Sequence, residues 1–212
     1  ESLMVVERTL GAVLALSGAP AEGAEICERA MSRARETDLW LASALTNVAY
    51  ATSSIDPARA VEASVEAIAE SERVGSKYYL GSAWAGLGLA SLNLGNVEEG
   101  CRAYAESLTH MLDSGARQSV ILSISRLSDA LLSESPAAAI ALSAGAAKLQ
   151  PGPGTDGTWL EARYARTRAR VGVALDDRVF ADAWDYGTTL SVDSMVILAR
   201  ETVDETFAAA LP

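Results

Sequence analysis

No stretch of this sequence stays apolar for the roughly 18 residues that a membrane-crossing helix needs, so no membrane span is expected. There is a single histidine, His110. A Ser-His-Asp relay would have to be built around it, yet no companion His, Cys or carboxylate stands at ligand spacing, and it reads as a packed or surface side chain. Positive charge is short: 17 Lys and Arg face 28 Asp and Glu, a net charge of −11, which opposes gripping nucleic acid through its phosphates. A phosphate loop is missing too. The turn-rich run from Gln150 to Gly157 has no following Gly-Lys-Ser/Thr, and the next helix opens with Trp159. Glu rather than Met at position 1 suggests a piece excised from something longer, and Glu1, Glu7 and Arg8 do not look like the start of a signal peptide.

What the chain has in abundance is alanine, in segments whose apolar residues recur at the helical period. β-Branched runs are short, nothing alternates with period two, and Gly and Pro fall between the periodic segments. The expectation is an all-α protein. Cys27 and Cys101 fall on faces that this pattern buries, so they read as reduced core thiols of a cytoplasmic protein. Trp40, Trp84, Trp159 and Trp184 read as packing anchors, since each falls within a periodic apolar set.

Residues 83 to 108 carry the clearest pattern. Trp84 is followed by Leu87-Gly88, by Gly95 in a turn, and then by Gly100, Tyr104, Ser107 and Leu108. The same order of large and small residues runs from Leu10-Gly11 through Gly18, Gly23, Cys27, Ala30 and Met31. A looser copy has Val48-Ala49, a turn at Asp56-Pro57, then Ala60, Ala67 and Ile68; a weaker one has Leu127-Ser128, Ser135-Pro136 and the Ala-rich run from Ala137 to Ala147. The copies recur about every 40 residues, and they resemble tetratricopeptide repeats. The resemblance implies a solenoid of about four antiparallel helix hairpins over residues 1–149, stacked because each two-helix unit leaves an apolar face uncovered. After the loop at 150–157, helices near 158–174, 176–187 and 191–209 would cap the same elongated domain at 158–212, with Ser191 capping the last.

A second resemblance lies in that C-terminal part. The Ala141–Leu149 run, Phe180-Ala181, Ala183-Trp184, Gly187, Leu190-Ser191, Met195-Val196 and Ala199 are similar to the closing stretch of repeat regions in large bacterial regulators. Those proteins join a signal-transduction ATPase module to helical repeats and often to a LuxR-type helix-turn-helix or a nucleotide cyclase domain. This chain has no phosphate loop, no recognisable cyclase carboxylate pair and no helix-turn-helix signature.

Charged clusters have simple explanations. Glu98-Glu99 and Asp176-Asp177 sit where helices begin and complement the helix dipole. Arg163, Arg166 and Arg170 share a helix face, with Arg168 nearby. No interleaved aromatics make this a nucleic-acid patch, so it reads as a solvated face or a contact to an acidic neighbour.

The repeat resemblance assigns binding to the first helix of each hairpin. Mapped here, the groove lining is Arg8; Ser43, Thr46, Asn47 and Tyr50; Ser82, Leu89 and Asn93; and Ser125 with Asp129, together with small Ala12, Ala15 and Ala85. The surface is small, neutral and hydroxyl-rich, and lacks the several Lys and Arg of repeats that clamp an acidic peptide terminus. A neutral peptide, another domain of the same regulator, or a small-molecule effector suits it better. Tyr50 and Leu89 have a second reading, as contacts packed between neighbouring repeats. The expected function is therefore a non-catalytic interaction or sensing region, with no metal, no cofactor and no direct nucleic-acid contact. A free-standing adaptor is the alternative.

Overall fold

Four glycines in the left-handed region punctuate the chain: Gly18 (φ 97°), Gly75 (69°), Gly95 (84°) and Gly115 (77°). Each ends a helical segment and lets the next begin within two or three residues. In the computed structural model, which describes residues 10–15, 17–37, 40–150, 158–171 and 175–208 (of residues 158–160, the backbone alone), the described segments are eleven helices and no strand. They are α1 (residues 10–15), α2 Pro20–Thr37, α3 Leu41–Thr52, α4 Pro57–Arg73, α5 Lys77–Asn93, α6 Val97–Asp113, α7 Arg117–Ala130, α8 Pro136–Leu149, α9 Thr158–Val171, α10 Asp177–Thr189 and α11 Val192–Phe207. The expected all-α class holds, with neighbouring helices packed as antiparallel pairs.

The pairing follows from the turns. After α5, the Asn96 N–H donates to Ser91 O at 2.9 Å and the Gly95 N–H to Leu92 O at 3.0 Å. After α4, Ser76 and Gly75 repeat the arrangement on Ser71 O and Glu72 O at 2.9 and 3.1 Å. Both are Schellman closures, which satisfy carbonyls that a helix end leaves open. Ser76 then caps α5 by accepting from the Tyr79 N–H at 3.3 Å, and Asp56 caps α4 by accepting from Arg59 N–H at 3.1 Å ahead of Pro57. One residue thus ends one helix and starts the next. The sequence pattern had named the turns at Gly18 and Gly95; Gly75 and Gly115 share their left-handed φ.

The chain divides into two compact units, Glu1–Ser114 and Gly115–Pro212. In the first, α2 packs on α3, α3 on α4, α4 on α5 and α5 on α6, and α3 also meets α5. Small residues set these distances. A Cβ on Gly88 would lie 2.8 Å from Tyr104 Cδ2 and 3.1 Å from Gly100 O, and one on Gly11 would lie 2.6 Å from Cys27 Sγ and 2.8 Å from Gly23 O. The two hairpins therefore close through matched positions, with buried Cys27 standing where the other has Tyr104. Burial pushes the Cys27 thiol up to about 12, with Glu28 adding to the shift. Arg59 and Arg35 of α4 and α2 reach Glu28 and Glu66 of the other helix at 2.8 and 2.5 Å. Pairs as exposed as the second contribute about 1 kcal/mol or less.

The second unit is organised around α8. Ala139 to Ala147 are all buried, and α8 packs against α7, α9, α10 and α11. A helix apolar on every side has to lie inside its unit. Phe180 and Trp184 of α10 stack with ring centroids 6.1 Å apart, and Tyr164 of α9 meets each edge-on at 5.0 Å. Ile140, Ala144 and Val171 complete this cluster. Asp176 caps α10 through the Arg178 N–H at 2.9 Å, and Ser191 caps α11 through the Ser194 N–H at 3.1 Å, the latter as the sequence predicted.

The tryptophans need one correction. Trp40, expected as a packing anchor, is 48 % exposed with φ 63°. It stands at the N-cap of α3, one residue before the periodic apolar set begins, so the helix does not turn it inward. Trp184 is buried and Trp84 half-buried. The Trp159 side chain lies outside the described residues.

Candidate binding surface

Side chains at positions 43, 46, 47 and 50 share one face of α3, and those at 82, 85, 89 and 93 share one face of α5, because three- and four-residue steps return to the same side of a helix. These helices meet directly. Two side chains fasten them. Tyr50 donates its hydroxyl to Ser82 O at 3.3 Å, and Asn93 Nδ2 donates to Ser53 O, just past the end of α3, at 2.6 Å. Ser53 had carried no signal in the sequence beyond its place in a turn.

Burial divides the expected lining. Ser43, Thr46 and Ser82 are buried, whereas Asn47, Tyr50 and Leu89 are half-buried and Asn93 is exposed. The Thr46 hydroxyl donates to Ala42 O, one turn back, at 2.7 Å. Thr52, Ser64 and Ser71 make the same backward bond to Val48, Ala60 and Ala67 at 2.8, 2.8 and 2.6 Å. Such hydroxyls are satisfied by their own helix and have little left to offer a ligand. The accessible part of this face is thus Asn47, Tyr50, Leu89 and Asn93. Tyr78, 46 % exposed and four residues before Ser82, prolongs it along α5. Its helical spacing was visible in the sequence.

The remaining expected positions lie elsewhere. Arg8 is outside the described residues. Ser125 and Asp129 belong to α7, in the second unit. Ser125 is half-buried, and its carbonyl accepts the Ser128 hydroxyl at 2.8 Å. Asp129 is the centre of an ionic network. Its Oδ1 accepts from Arg163 at 3.2 Å and from Arg170 at 2.5 Å, and its carbonyl accepts from Arg170 at 3.3 Å. Arg163 also donates through Nε to Ser143 Oγ of α8 at 2.8 Å, and Ser143 Oγ lies 3.2 Å from Thr167 Oγ1. The arginine face of α9 therefore meets an acidic residue of a neighbouring hairpin, one of the two readings the sequence offered.

His110 is half-buried in the last turn of α6. Among the described residues no three His, Cys, Asp or Glu side chains converge as a metal site would require, and no helix is long and apolar enough to cross a membrane. The chain matches no protein-family profile, no curated protein and no solved structure.

Proposed function

We propose that this protein is a non-catalytic helical-repeat region through which a multidomain bacterial signalling or transcriptional regulator, cytoplasmic and LuxR-like or ATPase-containing, binds a protein partner, another of its own domains or a small effector. The finer fold reading belongs to the same proposal: tetratricopeptide-like hairpins stacked as a solenoid, closed by C-terminal capping helices. The observation that carries it is the matched closure of two hairpins, Gly11 on Gly23 and Cys27 in one, Gly88 on Gly100 and Tyr104 in the other. Repetition of one packing device is the mark of units built to be stacked, and stacked first helices present a continuous face. Direct contact of α3 with α5 supports the same reading, since those are the first helices of successive hairpins.

Binding falls on Asn47, Tyr50, Leu89 and Asn93, the accessible part of that face. Contact there shifts an equilibrium between packed states of the regulator only to the extent that the ligand prefers one of them. The test starts from gene context. A reading frame continuous with residue 1 that encodes Gly-x-x-x-x-Gly-Lys-Ser/Thr identifies the module to express beside this chain. Co-purification of the two, lost on Tyr50→Ala well beyond the small drop in melting temperature that its hydrogen bond accounts for, supports the regulator. No such module, together with capture of separate proteins through the same face, selects the adaptor. ATP turnover by the chain alone, abolished by His110→Ala, overturns both.

A further inference from the structure

The second unit holds a concentration of positive charge that its packing leaves only partly neutralised. Arg163, Arg166 and Arg170 share a face of α9, and among the described residues the carboxylate that pairs with Arg163 and Arg170 is that of Asp129. Arg163 is the anchor, with a side chain 12 % exposed and fixed by Ser143 and Asp129. Loss of solvent lowers its affinity for its proton, Asp129 restores part of it, and the nearby charges of Arg166 and Arg170 lower it further. Arg170 is 45 % and Asp129 39 % exposed. Arg166 is exposed and makes no ion pair among the described residues. Two guanidiniums thus share one carboxylate and a third lies close enough to act on Arg163, in a chain that carries a net charge of −11.

We propose that the Arg163–Arg166–Arg170 face of α9 is a binding site for a phosphate group, with Asp129 acting as an internal competitor for the same guanidiniums. Guanidinium forks match tetrahedral oxyanions through paired N–H donors. Arg166 offers its donors to solvent and half-exposed Arg170 shares its own with Asp129, while buried Arg163 supplies fixed charge behind them. A compact dianion fits this site better than a polyanion. The excess charge is local, and the acidic remainder of the chain repels a long phosphate backbone. The site is separate from the α3–α5 face, and neither proposal depends on the other.

Isothermal titration of the full chain at low ionic strength, first with inorganic phosphate and then with a phosphoserine peptide and its unphosphorylated twin, tests the assignment. Binding of inorganic phosphate, or of the phosphopeptide in preference to its twin, is expected; the first result points to a small-molecule source and the second to a modified protein. Arg166→Gln, an exposed change that leaves the fold intact, should weaken binding about tenfold, the effect of losing one charged hydrogen bond. Asp129→Asn should bind several-fold more tightly, because the competing carboxylate is gone. A merely structural aspartate would give the opposite sign. Silence from phosphate and phosphopeptide alike, wild-type affinity in Arg166→Gln, or tighter binding of duplex DNA than of either probe would overturn the proposal. If Asp129→Asn does not fold, Arg166→Gln decides the matter alone.

Discussion

The two units bury their apolar surface by different routes. In the first, each helix from α2 to α6 packs against its neighbours in sequence, and the close approaches rest on glycine and alanine. In the second, α8 alone meets four helices, and the cluster at its side is made of large rings and branched chains. Small-residue packing tolerates loss of an atom better than gain of one. A large-ring cluster fails first by losing volume, because its neighbours cannot collapse into the gap.

The largest effect should come from Phe180→Ala, which removes a fully buried ring stacked on Trp184. A cost of about 3–5 kcal/mol is expected, read as a lowered denaturation midpoint together with loss of the Trp184 near-ultraviolet circular dichroism. A cost under about 1 kcal/mol would mean that the second unit does not depend on this cluster.

Gly88→Leu probes the first unit from the opposite direction. The added side chain must displace Tyr104 and the Gly100 backbone, so destabilisation of about 1–3 kcal/mol or more is expected. A variant that melts with the wild type would show that the α5–α6 approach is looser than described.

Alanine at Tyr50 and Leu89 sharpens the comparison at the surface. Tyr50 joins α3 to α5 through one long hydrogen bond, so Tyr50→Ala should cost about 1 kcal/mol in thermal melting. Loss of partner binding well beyond that decrement assigns these residues to recognition. A lowered melting temperature without a selective binding defect assigns them to packing between hairpins.

The smallest effect concerns charge. A hydrogen bond from Lys77 at 2.8 Å, reinforced by its charge and by that of His110, holds the Asp113 carboxyl below its usual value. A lowered folded value means the pair favours the folded state above the unfolded carboxylate value of about 3.9, and that this contribution fades as pH falls through the lowered one. Carbon-detected titration should place the Asp113 midpoint below the ordinary range, and Lys77→Met should return it there. An unchanged midpoint in that variant would remove the bond as the cause.

Local chemistry was readable from the sequence. Gly18 and Gly95 announced left-handed turns, Asp56-Pro57 and Ser191 announced helix starts, and the order of small and large residues placed Gly88 against Gly100 and Tyr104. The arrangement around α8 was not readable, because contact between α8 and α10 joins segments far apart in the chain and leaves no mark in either one's period. The candidate surface was legible only in part. Small hydroxyl residues on a first helix serve equally as an open lining or as a close helix contact, and nothing in Ser43, Thr46 or Ser82 says which. Nor could the sequence assign Asp129 to Arg163 and Arg170, since a lone carboxylate on α7 has no preferred partner until the fold supplies one.

Cys27 and Cys101 are the chain's two cysteines, both are fully buried, and both lie in the first unit. Alkylating reagents attack the thiolate, which the Cys27 thiol, pushed up to about 12, hardly populates near neutral pH, and burial denies the reagent access to both cysteines. Modification must therefore wait for α2 or α6 to open. Labelling rates followed by mass spectrometry become a stopwatch for excursions of that unit alone, in unmodified protein and without an added probe. A ligand seated on the α3–α5 face would slow it, and one held by the arginines of α9 gives a control on how far its influence spreads.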